Sequence, residues 1–201
     1  MLVIYYDNPN EASDMYLKWL TKDCEEKDVE YKIVDNFEEY INNYKNNATL
    51  PMMPVKDKKI LGYLRLNSHY DIDNVSGDNF YTDATAQGIY NYVENTYSNR
   101  STVVAVIGRG KVGKPLINML IDYGYTVFEF NSKSEYDTMI ETIKSFVSVA
   151  IGLSTENVFN YEECKGLECF SVDLIDASNT FDTKNKLRCG KWTREVILSR
   201  V

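Results

Sequence analysis

The part of this chain that most restricts its fold is a glycine-rich segment that follows an apolar, β-branched run at residues 102–107. The segment reads Gly108-Arg109-Gly110-Lys111-Val112-Gly113. A G-x-G-x-x-G pattern between a strand and a helix allows a tight turn, a close approach of the backbone to a pyrophosphate, and close helix packing. Pro115 lies where the helix can begin and Gly124 where it can end, before a second apolar run. This order predicts a dinucleotide-binding βαβ unit.

The rest of the chain alternates between apolar strands and amphipathic helices. We predict strands over residues 2–6, 30–34, 125–130, 146–151 and 169–175. We predict helices from a cap at Ser13 or Asp14 to about residue 28, and over 37–46, 85–94, 115–123 and 136–144. The stretch 50–54 is expected to be irregular and to be followed by a polar region that extends to about residue 83.

Strands that alternate with helices favour an α/β fold with parallel sheets. We therefore predict an N-terminal α/β lobe at residues 1–84 and a linking helix at 85–100. A Rossmann-like, parallel-sheet, dinucleotide-binding lobe is predicted at 101–201.

The charge and composition of the chain argue against several functions. The formal net charge is −8 and the sequence has no basic stripe, so neither nucleic acid nor an anionic membrane surface is expected as a partner. A signal peptide and a long apolar run are both absent, so we expect a cytoplasmic protein with reduced thiols. The four cysteines form no C-x-x-C pair and His69 is the single histidine. We therefore expect no metal site.

The choice between NAD and NADP depends on the residues around the end of the second strand of the βαβ unit. Glu129 lies at about the right distance to bind ribose hydroxyls, as in NAD-binding folds. The following Asn131-Ser132-Lys133-Ser134, together with Arg109, offers hydrogen bonds and positive charge to a 2′-phosphate. We favour NADP and keep NAD as an alternative. A tight βα turn that binds no dinucleotide is a further alternative.

Between residues 2 and 176, several segments resemble motifs of one enzyme family and occur in the same order as in that family. Residues 106–115 resemble V-I-G-R-S-x-x-V-G-K-P, one residue shorter, and residues 126–134 resemble T-V-x-x-x-H-S-K-T with Asn131 in place of the histidine. Shorter matches are A-S-x-x-Y at 12–16, the L-P of Q-L-P-L-P at 50–51, D-V-D-G at 71–74, C-T-P-x-G at 84–88 and A-x-G at 150–152. In this order they resemble the methylenetetrahydrofolate dehydrogenase/methenyltetrahydrofolate cyclohydrolase family of one-carbon metabolism.

The resemblance implies a folate as the small-molecule substrate and a nicotinamide dinucleotide as cofactor. The family oxidises 5,10-methylenetetrahydrofolate and hydrolyses the methenyl product to 10-formyltetrahydrofolate. On the matching positions, the resemblance implies a folate site that includes Tyr16, Lys22, Thr49 and Asp73. It implies cofactor contacts from the glycine segment and from Asn131, Ser132, Lys133, Ala150 and Gly152. A homodimer is also expected, because the family typically forms one.

The sequence departs from the family at positions that matter for catalysis. The family's catalytic lysine, four residues after the motif tyrosine, is replaced by Leu20, and Thr49 replaces the glutamine of Q-L-P-L-P. On a helix, Lys18 and Lys22 point about 200° away from that position. No segment matches the family's P-G-G-V-G-P-M-T loop before Val201.

These departures leave two hypotheses. Hydride transfer depends mainly on positioning, whereas hydrolysis needs a proton-transferring group. The first hypothesis is therefore a dehydrogenase whose cyclohydrolase activity is weakened or lost. The alternative is a catalytically degenerate relative that binds a folate or a nucleotide, or that acts only as an interaction protein.

Overall fold

A computed structural model of the chain describes residues 1–154, 156–173, 180–182 and 186–201. The last two residues of the predicted strand at 169–175 therefore lie outside the described residues. The chain divides into two compact units, Met1–Ala84 with Thr193–Val201, and Thr85–Trp192. Among the described helices, none is both long enough and apolar enough to cross a membrane.

The first unit is built on three parallel strands in the order β2-β1-β3. The strands are β1 (Leu2–Tyr5), β2 (Tyr31–Val34) and β3 (Ala48–Pro51). The helices of this unit are α1 (Glu11–Glu26), α2 (Phe37–Asn43) and α3 (Lys59–Leu66), and a single 3-10 turn follows at Ser68–Tyr70. All four residues of β1 are buried, as expected for a central strand of a parallel sheet with both faces covered.

Strand β3 lies partly in a stretch that the sequence predicted as irregular. It pairs with β1 in a continuous parallel register from Leu2 opposite Ala48 to Tyr5 opposite Pro51. A four-residue strand shows no period of its own, and Pro51 normally argues against a strand. The prediction was wrong because the tertiary pairing, which satisfies the free edge of β1, outweighs the local signal.

The cap of α1 also differs from the prediction. Asn10 is the N-cap, since its side chain accepts from the amide of Ser13, and the Ser13 hydroxyl in turn accepts from the amide of Asn10. Ser13 is therefore the third helical residue of a reciprocal capping box rather than the cap itself.

Helix α8 (Gly190–Leu198) is an element that the sequence analysis did not predict. Its buried residues Val196, Ile197 and Leu198 share a core with Leu2 and Ile4 of β1. The end of the chain, from Thr193, thus belongs to the first unit, although consecutive numbering had suggested the second.

The second unit contains five parallel strands in the order β5-β4-β6-β7-β8. The strands are β4 (Val103–Ile107), β5 (Thr126–Phe130), β6 (Val149–Gly152), β7 (Cys169–Asp173) and β8 (Lys186–Arg188). The helices are α4 (Ala84–Thr96, whose first residue belongs to the first unit), α5 (Gly113–Asp122), α6 (Tyr136–Phe146) and α7 (Tyr161–Cys164). This doubly wound order is Rossmann-like and confirms the predicted fold class, α/β with parallel sheets. Strand β6 begins at Val149 rather than at the predicted Phe146, because exposed Phe146 still belongs to α6.

Candidate functional site

The glycine segment lies at the carboxyl end of β4, where the order of the strands reverses. The chain moves from β4 to β5 on one side and then to β6 on the other. Ligands of open α/β sheets bind outside the carboxyl ends of the strands at such a switch point. The predicted binding segment is therefore in the part of the second unit where a ligand is expected.

Each glycine of the segment has a different steric role. Gly108 adopts φ +119°, and a Cβ there would lie 3.1 Å from the Leu153 Cβ. A Cβ on Gly113 would lie 1.9 Å from the Gly108 carbonyl oxygen, so only glycine fits where α5 begins. A Cβ on Gly110 would have no protein atom within 4 Å among the described residues. Gly108 and Gly113 are thus required by the turn, whereas the space beside Gly110 is open to a ligand.

The first turn of α5 suits an anionic group. Within the described chain, no side chain caps this helix, which has Val112 at its N-cap. Its first amide groups and the helix dipole favour a phosphate at this end. Val112 packs against the apolar core, whereas Lys111 is exposed beside it. The steric cradle and the helix end together fit a dinucleotide pyrophosphate.

Arg109 and Glu129 form an ion pair beside the glycine segment. Arg109 Nε lies 3.1 Å from Glu129 Oε2, and both side chains are about half exposed. The pair forms because Glu129 is opposite Val106 in the β4–β5 register, next to the point where the glycine segment leaves β4. An exposed pair of this kind contributes at most about 1 kcal/mol, so either partner can exchange it for a ligand contact.

The turn after β5 presents two of its four polar residues at its tip. Ser134 Oγ accepts from the amide of Asn131 at 3.0 Å, and Asn131 Oδ1 accepts from the amide of Lys133 at 2.9 Å. Asn131 and Ser134 therefore close the turn, while Ser132 and Lys133 are exposed. Of the predicted cofactor contacts in this turn, these two are the ones that extend toward solvent.

Ala150 and Gly152 have packing roles in β6. Ala150 is buried in a core that also includes Ala105 and Cys169. A Cβ on Gly152 would lie 2.4 Å from the Thr180 Cβ. The absence of a side chain at Gly152 is explained by the segment that covers it, without any contribution from a bound cofactor.

The predicted folate residue Asp73 lies in the loop that joins the 3-10 turn to α4. Its Oδ1 accepts from the amide of Ala84 at 2.9 Å, which fixes the direction of the carboxylate at the start of α4. The buried Asp71 two residues earlier accepts from the amides of Val75 at 3.0 Å and Ser76 at 2.7 Å. Of the two aspartates in this motif, Asp71 shapes the loop, while Asp73 is half-buried.

Thr49 does not reach a surface in this structure. It is fully buried, its hydroxyl donates to the Asn47 carbonyl at 2.8 Å, and it lies 3.1 Å from the Tyr40 hydroxyl. Burial raises the pKa of Tyr40 to about 12, in spite of the opposing effect of that hydrogen bond. Tyr40 therefore stays protonated at neutral pH, and the structure places Thr49 in the interior of the unit, while its predicted contact with folate stays a prediction.

The other two predicted folate residues, Tyr16 and Lys22, both lie in α1 but in different environments. Tyr16 is half-buried and packs against the core that contains fully buried Leu20. Lys22 is on an exposed part of the helix, 3.4 Å from Glu26 and 5.6 Å from the Trp19 ring centroid. The structure thus leaves Lys22 in contact with solvent and other surface side chains, and it places an apolar side chain where the resemblance has a lysine.

Arg200 is a residue that the sequence analysis missed. It follows α8 and donates to two backbone carbonyls of the loop that contains Asp73. A single arginine near the end of a chain gives no sequence signal for such a contact. Within the described ranges, no three His, Cys, Asp or Glu side chains are grouped as a metal ion would require.

Three solved structures similar to this chain are folate dehydrogenases. The NAD-dependent 5,10-methylenetetrahydrofolate dehydrogenase of Saccharomyces cerevisiae has a TM-score of 0.73 at 16% identity, covering 99% of this chain and 84% of that chain. The bifunctional dehydrogenase/cyclohydrolase of Thermoplasma acidophilum has a TM-score of 0.71 at 16% identity, over 99% and 86%. The Trypanosoma brucei dehydrogenase-cyclohydrolase, complexed with NADP and an inhibitor, has a TM-score of 0.68 at 12% identity, over 99% and 83%.

These likenesses concern the fold rather than the sequence. No family model and no curated protein sequence matches the chain. At identities this low the superposition establishes the fold, and function has to be argued from the site. The chain therefore has the two-lobe α/β fold of the methylenetetrahydrofolate dehydrogenase/cyclohydrolases, which confirms the fold implied by the sequence resemblance.

Proposed function

We propose that this protein is a nicotinamide-dinucleotide-dependent 5,10-methylenetetrahydrofolate dehydrogenase whose cyclohydrolase activity is weakened or lost. The observation that supports it most strongly is the steric fit of the segment Gly108–Gly113, in which a Cβ on Gly113 would lie 1.9 Å from the Gly108 carbonyl oxygen. That fit occurs at the switch point of a fold shared with structures described as methylenetetrahydrofolate dehydrogenases.

The roles of individual residues follow from their positions. The backbone amides at the start of α5 would hold the pyrophosphate of the dinucleotide. When bound, the nicotinamide accepts a hydride from the methylene carbon of the folate. Asp73 would accept two parallel N–H groups from the pterin edge, and Tyr16 would contact the folate from α1. Hydride transfer requires these groups to bind and orient their ligands, and it requires no proton-transferring side chain.

The proposed weakening or loss of cyclohydrolase activity rests on one position of α1. Hydrolysis of the methenyl product needs a group that moves protons. The position where the family has its lysine is Leu20, which is fully buried among apolar side chains. Lys22 forms an ion pair with Glu26 on the exposed part of the helix. We therefore propose that Lys22 is a surface charge without a catalytic role.

The proposed cofactor is NADP, with NAD as the alternative. Arg109, Ser132 and Lys133 can bind a 2′-phosphate. Glu129 reduces that preference, because it already pairs with Arg109 at 3.1 Å. The proposed homodimer and cytoplasmic location are supported by the sequence analysis alone.

An absorbance assay tests the proposal. Purified protein, 5,10-methylenetetrahydrofolate and NADP⁺ or NAD⁺ should generate reduced dinucleotide in proportion to enzyme. The variant Asp73→Asn, which retains the oxygen that accepts from Ala84, should raise the KM for folate and leave the affinity for dinucleotide unchanged. A flat trace with both dinucleotides, from protein that is folded, would refute the dehydrogenase.

A second candidate function is supported by the placement of Thr49 and Lys22. One is fully buried and the other is on the exposed part of α1, as in a relative that retains a fold but not its catalysis. Calorimetric titration separates the two functions. Dinucleotide or folate binding without turnover identifies a binding protein, and turnover rules it out.

A further inference from the structure

The side chain of Arg200 is half-buried against the loop at residues 72–82, in the first unit. Its Nη1 donates to the carbonyl oxygens of Ile72 at 2.6 Å and Thr82 at 2.8 Å. Its guanidinium carbon lies 4.9 Å from the centroid of the Tyr81 ring. A charged donor forms a stronger hydrogen bond to a backbone carbonyl than a neutral donor does. A single guanidinium therefore joins the two ends of the loop.

Those two ends determine the position of Asp73. Ile72 immediately precedes Asp73, and Thr82 lies two residues before Ala84, whose amide donates to Asp73 Oδ1 at 2.9 Å. Arg200 thus binds the backbone just before Asp73 and also the backbone just before Ala84, whose amide fixes the Asp73 carboxylate. Burial lowers the pKa of Arg200, and the nearby carboxylates of Asp73 and Asp83 oppose part of that shift. The guanidinium stays protonated at neutral pH, so its charge acts on Asp73.

The middle of the same loop is held by a different arginine. Arg65 Nε and Nη2 donate to the Ser76 carbonyl at 3.2 and 2.8 Å. The Asp71 carboxylate binds the amides of Val75 and Ser76. Because these contacts are separate from those of Arg200, the chain provides a matched control within one loop: removing Arg65 perturbs the middle, and removing Arg200 perturbs the ends.

We propose that Arg200 is a positioning residue for ligand recognition by Asp73. The ligand class is a planar heterocycle with two adjacent N–H donors, such as a pterin, because a carboxylate accepts such a pair only when its plane is held in a fixed direction. The proposal rests on the proposed function, which supplies the ligand of Asp73. Arg200 itself contacts the backbone and Tyr81, so it acts through Asp73 rather than as a catalytic residue.

The test compares Arg200→Ala, Arg200→Lys and Arg65→Ala with the unmodified protein by calorimetric titration of tetrahydrofolate and of dinucleotide. We expect Arg200→Ala to weaken folate binding by about tenfold, because Asp73 would lose the alignment needed for one of its hydrogen bonds to the ligand, and to change dinucleotide affinity less than twofold. Arg200→Lys retains the charge and should recover part of the affinity. Arg65→Ala should weaken folate binding by less than threefold, even if it lowers the melting temperature equally.

Hydrogen exchange gives a readout that does not depend on the ligand. The Ala84 amide, which donates a hydrogen bond to Asp73, should exchange faster in Arg200→Ala and Arg200→Lys but not in Arg65→Ala. If Arg200→Ala does not fold, Arg200→Lys decides the question with the same two measurements. Equal loss of folate affinity in Arg65→Ala and Arg200→Ala, or unchanged affinity and exchange in Arg200→Ala, would overturn the proposal. Failure of the unmodified protein to bind folate refutes the proposed function instead, together with the ligand assigned to Asp73.

Discussion

The glycines after β4 differ in what a methyl group at each would meet. At Gly113 it would overlap the Gly108 carbonyl oxygen, whereas at Gly110 it would have open space. The sequence pattern could not distinguish these cases, because both positions match the same consensus. The structure separates a glycine required by packing from one that leaves space for a ligand.

Alanine substitutions test that difference. Gly110→Ala should leave the melting temperature within about 2 °C, since its φ is not positive and no neighbour is displaced, but it should weaken dinucleotide binding by tenfold or more. Gly113→Ala should lower stability by roughly 1–3 kcal/mol. Thermal melts and calorimetric titration provide both measurements, with Gly62→Ala in α3, which also meets open space, as control. Unchanged binding in Gly110→Ala would show that no pyrophosphate approaches this backbone.

The Arg109–Glu129 pair makes a second prediction about single residues. A 2′-phosphate must compete with Glu129 for Arg109 and is repelled by the Glu129 carboxylate, whereas a 2′-hydroxyl is not. Glu129→Gln should therefore strengthen NADP binding by about fivefold, corresponding to about 1 kcal/mol for an exposed pair, and change NAD binding less than twofold. Arg109→Gln should weaken NADP binding. An equal effect of Glu129→Gln on the binding of both dinucleotides would show that the 2′ group of the ribose does not bind beside Glu129.

Among the elements, those with a strong local signal were predictable and those defined by partners were not. The unit of β4, α5 and β5 was predictable because an apolar strand, a glycine turn and a helix ending before Gly124 are all local features. Strand β3 and the helices α3 and α8 were missed. Helix α3 lies in the stretch that was expected to be polar, and β3 and α8 are specified by what they pack against, namely the edge of β1 and the core around Leu2. The same reason explains why Arg200 escaped the sequence analysis.

The hydrogen bonds around Glu94 of α4 give a prediction about pH. Glu94 on α4 accepts from Arg100 at 2.5 and 2.7 Å and from the hydroxyls of Tyr125 at 3.0 Å and Tyr90 at 3.2 Å. The hydrogen bonds from Arg100 are the main cause that lowers the pKa of Glu94 below its ordinary value of 4.5. A carboxylate of lowered pKa stabilises the fold above its unfolded-state pKa, and this contribution disappears as the pH falls through the folded-state pKa.

Glu94→Gln should therefore lower the melting temperature at pH 7, and the difference from the unmodified protein should shrink steadily below pH 4.5. Thermal melts at a series of pH values measure this, with Glu141→Gln, an exposed position of α6, as the matched change of charge. A difference that is constant from pH 7 to pH 3 would show that the carboxylate does not contribute through its ionised form.

For the whole molecule, the order of motifs predicted the architecture better than it predicted the chemistry. The glycine segment and the aspartates at 71 and 73 shape the backbone around them. Two positions at which the resemblance implies polar groups that act on folate are occupied by the buried Leu20 and Thr49. This contrast is what separates a retained dehydrogenase from a weakened cyclohydrolase in our proposal.

Product analysis of a single reaction tests that proposal most directly. With 5,10-methylenetetrahydrofolate and NADP⁺, or NAD⁺ in a parallel reaction, we predict reduced dinucleotide and the methenyl product in equal amounts. The methenyl product should accumulate, because its protein-dependent conversion to 10-formyltetrahydrofolate should be much slower than its formation. Absence of reduced dinucleotide with both cofactors would contradict the dehydrogenase, and protein-dependent formation of 10-formyltetrahydrofolate as fast as that of reduced dinucleotide would contradict a weakened or lost cyclohydrolase.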